Sequence, residues 1–310
     1  MKVLSLFDGI SCGMLALKRA GIPVEKYDAF EIDKYAVTVS RNNFPDIVQH
    51  GNVFDGNFTQ FQGYDLLLGG SPCTYWSIAR KGRETTSDGM GFKLFMQYVR
   101  ALKESRCRYF LYENNYSIHR NIKDEISKKL GVQPIMINSA LVSAQQRKRC
   151  YWTNIPNVSQ PQDKGILLAD ILESGISWQD KSYCMTASYD GAVFKNTLER
   201  KQRTMIAEPV RIGRYGKGGQ GQRIYSIHGK SITLSANGGG RGAKTGLYKI
   251  DLPDGDYIIR KLTPVEAERL QTLPDNYTAE ISNTQRYKCI GNGWTVDVIA
   301  HILGGLSNEY

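Results

Sequence analysis

Over residues 1–160 the chain alternates short apolar runs with stretches of helical periodicity, and this alternation restricts its folding more than any other feature. "KVLSLF" is followed by "CGMLALKRAG", "YDAFEI" by "DKYAVTVSRNNF", and "YDLLLGG" by "FKLFMQYVRALKES"; "RYFLYEN" then precedes "DEISKKLG". Strands and helices that alternate at this spacing are joined by right-handed crossovers, which set the strands parallel and cover both faces of the sheet with helices. The expected class is therefore α/β with a mostly parallel sheet. Ligands of such a sheet sit beyond the carboxyl ends of its strands. Residues at those ends are the candidates for function.

The rhythm breaks near residue 172. From there to 258 the chain is rich in Gly and in short β-type pieces such as "QRIYSIHGKSITLSANGGG", which reads as a smaller, irregular β-rich domain. Helical patterning resumes in "LTPVEAERLQTLP", where Thr263 is the expected N-cap, Pro264 the first helical residue and Glu266 the reciprocal partner of the cap. "GWTVDVIAHILGGL" is apolar at helical spacing and is expected to pack back on the first domain. The expected units are 1–171, 172–258 and 259–310.

Charge and cysteine usage narrow the function. The net charge is +10, and between Lys195 and Lys261 14 Lys and Arg stand against 5 acids. A clustered excess of this kind favours a polyanionic partner, because neutralising phosphates releases condensed counterions; a solvated basic surface is the competing reading. The N-terminal "MKVLSLFDGISCG" reaches Asp8 too soon to hold the apolar core of a signal peptide, and no window approaches the roughly 18 apolar residues of a membrane span. A cytoplasmic protein with no membrane partner is expected. The six cysteines (Cys12, Cys73, Cys107, Cys150, Cys184 and Cys289) contain no C-x-x-C pair, which argues against a structural zinc site and against a disulfide framework.

Four strand ends carry the chemistry. "LSLFDGISCG" leaves the first strand through a turn at Gly9 that lets a ligand approach the backbone, with a helix N-terminus facing it. The next strand ends at Glu31, whose carboxylate can accept both hydroxyls of a ribose, and "GNVFDG" supplies Asn52 and Asp55 where an adenine would lie. "GGSPCTYWS" places Cys73 after Pro72 at the ligand edge, where basic neighbours favour a thiolate nucleophile. "YENN" brings Glu113 to the same edge, and a carboxylate beside a thiol in a cleft can serve as a proton donor. In "SAQQRKRCYW", Arg147 and Arg149 stand two apart on an extended segment and face the same side. Taken singly, each has a structural reading: a buried thiol, a turn residue, a solvated arginine.

In order and spacing, "LFDGISCG", "GGSPCTYWS", "YEN", "QQRKR" and "IGNGW" resemble the motifs of the DNA (cytosine-5) methyltransferases. The likeness runs from residue 3 to about 302, and the basic Gly-rich segment is similar to the target-recognition domain of the small HhaI-type enzymes of bacterial and phage restriction-modification systems. The resemblance implies the Rossmann-like fold of S-adenosylmethionine-dependent methyltransferases. It implies that Phe7, Asp8, Gly9, Ile10, Gly13, Ile32 and Val53 help to hold S-adenosylmethionine, with Phe7 against the adenine, Glu31 on the ribose and Asn52 at the adenine. Pro72, Leu94, Asn292, Gly293 and Trp294 complete that implied pocket, which releases S-adenosylhomocysteine and needs no metal.

By the same resemblance, Cys73 attacks carbon 6 of a flipped-out cytosine, Glu113 bonds the ring nitrogen and exocyclic amine, Arg149 bonds the base carbonyl, and Arg147 steadies the thiol loop. Residues from about 74 to 92 form a closing loop hinged at Gly82, Gly89 and Gly91, with Ser77 at the DNA. Gln220 fills the gap left by the base, Arg223 reads guanine, and Ser235 and Asn237 lie on a second recognition loop. The implied partners are double-stranded DNA and a separately acting restriction endonuclease, with the methyltransferase a monomer.

Several positions depart from the family's pattern: Asn52 replaces a frequent Asp, Thr74 a frequent Gln, "ENN" a frequent "ENV", Cys12 a small residue, and Gly293 with Trp294 a small polar and an aliphatic residue. Three other readings compete: the same chemistry on transfer RNA, a base-flipping protein without turnover, and a nicotinamide oxidoreductase. The last would explain Gly9 and Glu31 but not the Pro-Cys pair, the two arginines or the basic segment.

Overall fold

The computed structural model describes residues 1–77, 81–209 and 257–306. Strands β1 (Lys2–Leu6), β2 (Lys26–Phe30), β3 (Val48–Gln49), β4 (Leu66–Gly69), β5 (Tyr109–Asn115), β6 (Ile135–Asn138) and β7 (Lys148–Thr153) form a sheet in the order β3-β2-β1-β4-β5-β7-β6. The pairs from β3 through β5 are all parallel, as the alternation predicts. β7 runs antiparallel to both β5 and β6. Residues 139–147 link β6 to β7 directly, and a connection that short cannot make the crossover that a parallel neighbour needs.

Helices α1 (Cys12–Arg19), α2 (Lys34–Asn43), α3 (Met90–Ser105) and α4 (Arg120–Leu130) alternate with the strands. Because successive strand side chains point to opposite faces, each strand feeds two cores. Val3, Leu66, Leu68 and Leu111 join one apolar cluster with Leu15 and Ala16 of α1 and Ala36 and Val39 of α2. Leu4, Leu6, Leu67, Phe110 and Tyr112 join the other with Phe95 and Tyr98 of α3 and Ile122 and Ile126 of α4.

The later chain closes over the first face. α5 (Leu168–Ile171), α6 (Phe194–Leu198), α7 (Pro264–Leu270), α8 (Asn283–Asn292) and α9 (Val296–Leu303) follow, with β8 (Met205–Pro209) paired antiparallel to β9 (Tyr257–Lys261). α7 begins as the sequence predicts: the Thr263 hydroxyl accepts from the Glu266 amide at 3.1 Å, and Glu266 accepts from the Thr263 amide at 2.8 Å. α9 packs on α1, where Arg19 pairs with Asp297 at 2.6 Å. Met185, Tyr189, Phe194, Met205 and Ile206 belong to the same cluster as Val3 and Leu66, so residues 172–209 share the core of the first 171 residues. Gln220, Arg223, Ser235 and Asn237 lie outside the described residues. Among the described residues no helix is long and apolar enough to cross a membrane.

Candidate active site

The strand order reverses between β1 and β4, and the crevice of a doubly wound sheet opens at such a point. The turn leaving β1 is strained there: Phe7, Gly9 and Ser11 have φ of 58°, 60° and 58°. Gly9 takes that conformation freely, whereas Phe7 and Ser11 hold it at a cost of about 1–3 kcal/mol each. Asp8 turns its carboxylate inward and accepts from the hydroxyls of Ser5 at 2.6 Å, Tyr27 at 2.7 Å and Ser11 at 2.5 Å. Burial holds it above the ordinary carboxylate range against those three hydrogen bonds. Its role is to brace the turn.

Glu31, just past β2, faces the crevice half-buried. Its Oε2 accepts from the Gly9 amide and its Oε1 from the Ile32 and Asp33 amides, each at 2.8 Å. Burial raises its pKa, and the amides of Asp33, Gly9 and Ile32 offset only part of that rise. Beside it the Ile32 side chain is 76% exposed, an apolar surface with no protein cover. Asn52 is exposed, and its side-chain oxygen accepts from the Phe54 amide at 3.1 Å. Phe7 and Leu94 are half-buried. Ile10, Gly13 and Val53 are buried.

β4 delivers the thiol. A methyl group on Gly70 would fall 3.1 Å from Glu113 Oε2 and 3.3 Å from the Trp294 indole nitrogen, so a glycine lets both side chains approach the strand exit. Ser71 Oγ meets Tyr112 Oη at 2.6 Å, and Asn114 Nδ2 donates to the Ser71 carbonyl at 3.1 Å. Asn114, at the second position of the unusual "ENN", therefore ties the Pro-Cys segment to β5. Pro72 is exposed, and Cys73 opens a short 3₁₀ turn, Cys73–Tyr75, half-buried. Burial pushes its thiol up; Arg149 and Arg147 pull it down, and Glu113 adds to the rise.

The expected hinge is partly a latch. Trp76 is fully buried and donates to Glu84 Oε2 at 3.1 Å, and the same carboxylate accepts from the Gly91 amide at 3.1 Å. A methyl group on Gly89 would lie 2.1 Å from the Glu84 carboxyl carbon. Gly89 and Gly91 thus make room for that carboxylate at the start of α3, while Gly82, with φ of 70°, keeps a glycine's freedom. Ser77 is half-buried, one residue before a short stretch outside the description.

β5 and β7 bring the acid and the arginine together. Asn115 pairs with Arg149 and Glu113 with Tyr151, so Arg149 is the diagonal neighbour of Glu113 on one sheet face, within reach of a long side chain. Arg149 Nε lies 3.0 Å from Glu113 Oε1, and the Trp294 indole donates to Glu113 Oε2 at 3.0 Å. Arg147 and Arg149 do share a side, but the object between them is the Cys184 sulfur, at 3.4 and 3.8 Å. Burial would raise the Cys184 pKa, yet the two arginines outweigh it and leave this thiol below its ordinary value. The sequence carries no motif around Cys184 that could have singled it out.

Arg147 is buried and donates to the carbonyls of Met185 at 2.8 Å, Gly293 at 2.9 Å and Gly291 at 3.3 Å. Asn292 ends α8 exposed.

A family model described as C-5 cytosine-specific DNA methylase matches residues 1–308. The chain is 31% identical to the Type II methyltransferase M.HhaI of Haemophilus parahaemolyticus, over 97% of this chain and 93% of that one. It is 29% identical to the Type II methyltransferase M1.ScrFI of Lactococcus lactis subsp. cremoris, over 96% of this chain and 76% of that one. Among solved structures it resembles the Entamoeba histolytica methyltransferase EhMeth, with TM-score 0.69 and 17% identity over 100% of this chain and 98% of that one. Spodoptera frugiperda DNMT2 gives TM-score 0.65 and 18% identity over 98% and 99%. At those identities the structures attest the fold alone.

Proposed function

The chain belongs to the C-5 cytosine-specific DNA methylases, and from that premise we propose that it methylates a cytosine flipped out of duplex DNA, with S-adenosylmethionine as donor and Cys73 as covalent nucleophile. What supports the reading is the Glu113–Arg149 pair, 3.0 Å apart on β5 and β7, beside the exit of β4 and near enough for both charges to act on the Cys73 thiol. A reacting base needs a nucleophile on one face and a donor–acceptor edge beside it. A stacked base is out of reach, so the cytosine leaves the duplex at a cost of a few kcal/mol.

The residues present fit an adenosyl ligand. Glu31 is preoriented by three amides, an exposed Ile32 adjoins it, and the turn at Phe7 and Gly9 is held open by Asp8. When bound, S-adenosylmethionine supplies an electrophilic methyl group. The Cys73 thiol gives up its proton to water as sulfur bonds carbon 6. Glu113 passes a proton to the ring nitrogen and accepts from the exocyclic amine, which lets the ring accept that electron pair, while Arg149 donates to the base carbonyl. Carbon 5, now an enamine carbon, would take the methyl group as S-adenosylhomocysteine leaves; its proton would pass to water, the carbon–sulfur bond would break, the ring nitrogen would return its proton to Glu113, and Cys73 would regain its own from water, leaving 5-methylcytosine. Arg147 fixes the 184–185 and 291–293 segments behind this site.

Recognition falls to residues inserted between β8 and β9, with Gln220, Arg223, Ser235 and Asn237 as base and gap contacts. The enzyme acts as a cytoplasmic monomer, and any restriction endonuclease acts separately. Incubation with unmethylated plasmid and S-adenosylmethionine, followed by single-base sequencing of 5-methylcytosine, is expected to reveal one short methylated motif. Unmodified plasmid would defeat the reading.

Glu31 sets a pH dependence. Only its ionised form accepts both ribose hydroxyls, and burial raises its pKa, so protonation on acidification begins above the ordinary carboxylate range. Affinity for S-adenosylhomocysteine, measured calorimetrically, is expected to fall as pH decreases toward that raised value. Glu31→Gln is expected to bind weakly at every pH. An equal decline in both proteins would assign the effect elsewhere.

A further inference from the structure

Trp294 stands where the sequence departs from the family's pattern, and its indole does something a small or aliphatic side chain cannot. Its Nε1–H donates to Glu113 Oε2 at 3.0 Å while Arg149 Nε holds Oε1 at 3.0 Å. Each oxygen of a carboxylate has two acceptor sites. Both oxygens are therefore fixed in direction with capacity left for a base.

The donor is itself fixed. The Gly293 carbonyl accepts from Arg147 at 2.9 Å and from Gln271 Nε2 at 3.2 Å. On the other flank, Thr295 Oγ1 donates to Gln271 Oε1 at 2.8 Å and accepts from Ser139 Oγ at 2.9 Å. These ties leave the 293–295 backbone little freedom. The indole also spans two sides of the crevice. A methyl group on Gly13, at the start of α1, would lie 3.6 Å from its ring carbon Cζ3, and one on Gly70, at the exit of β4, 3.3 Å from its nitrogen.

We propose that Trp294 is a positioning residue for Glu113, aiming the carboxylate at the base from the segment that also borders the cofactor turn. The proposal rests on the reading that Glu113 bonds the cytosine. It separates the indole's nitrogen, which serves the base side, from its ring, which fills space on the cofactor side.

The test is Trp294→Phe, which keeps a ring and deletes the donor, with Trp294→His restoring a ring N–H and Glu113→Gln run alongside. For Trp294→Phe, kcat is expected to fall by about 10- to 100-fold, the range a hydrogen bond to a charged group supplies. KM for DNA and the dissociation constant for S-adenosylhomocysteine should stay within about twofold, since uniform binding is untouched. Trp294→His should recover part of kcat. Wild-type kcat in Trp294→Phe beside an inactive Glu113→Gln would overturn the positioning role alone. Cofactor affinity lost in step with kcat would also overturn it, assigning the indole to the cofactor. A fully active Glu113→Gln would overturn the underlying reading and the proposal with it. If Trp294→Phe melts well below the wild type, Trp294→His decides: a rate no better than that of Trp294→Phe refutes the donor's role.

Discussion

Cys73→Ser is expected to lose methyl transfer by on the order of 10⁴-fold or more, the scale on which removing a nucleophile acts. The serine hydroxyl is far less acidic than the thiol it replaces. The site also offers little help in ionising it: burial already pushes the native thiol up, with Arg149 the strongest opposing influence. DNA binding should persist, because the basic excess between Lys195 and Lys261 is untouched. Methyl incorporation and a mobility shift, measured on the same preparation, separate the two effects. DNA carrying 5-fluorocytosine sharpens the test, since fluorine cannot leave carbon 5 as the proton does. Wild-type protein should remain covalently attached through denaturing electrophoresis, and Cys73→Ser should not. A serine variant within tenfold of wild-type turnover would mean that sulfur forms no bond in the reaction.

Glu268→Ala is expected to destabilise the fold by about 3–5 kcal/mol, the cost of breaking a buried ion pair from one side. Glu268 is fully buried and accepts from the Asn276 amide at 2.7 Å, the Thr278 amide at 2.9 Å, the Thr278 hydroxyl at 2.5 Å and Arg286 Nη2 at 2.9 Å. Deleting the carboxylate strands all four donors, and the one on Arg286 is a charge that is only 9% exposed. The urea midpoint should fall with the slope unchanged. Arg269→Ala offers the contrast: its partner Asp275 is about half exposed, and a pair of that kind contributes about 0–1 kcal/mol. Equal midpoints for the two variants would show that Glu268 is not a point of attachment for the loop between α7 and α8.

The parts of the molecule that were legible in the sequence are those decided locally. Alternating apolar periods suffice for β1, β2, β4 and β5 and the helices after them, because each period reports one face of one element, whereas the two-residue β3 is too short to show one. The start of α7 was legible because a capping box spans four consecutive positions, Thr263 to Glu266. Cys73 and Glu113 could be placed at one edge because both were expected at strand ends, whereas Arg149, near the start of β7, was legible only as sharing a side with Arg147. What stayed hidden is set across long separations. Trp294 meets Glu113 from 181 residues away, and Arg147 meets Cys184 from 37. No local pattern encodes either contact. The reversal of β7 was hidden for another reason: "RKRCYW" reads as a strand in either direction, and only the short link from β6 decides which.

The packing of α9 on α1 has a consequence for synthesis. α1 is complete after Arg19, but the helix that covers it begins at Val296, and the salt bridge from Arg19 waits for Asp297. The part of α1 that α9 packs on therefore stays uncovered until Val296 and the residues after it have been made. Closing so long a loop is slow, and an apolar helix left open during that time invites association with other chains. Native yield in the cell should accordingly depend less on the speed of the early strands than on release of α9, so that a ribosome stalled before residue 296 holds α1 without the helix that packs on it.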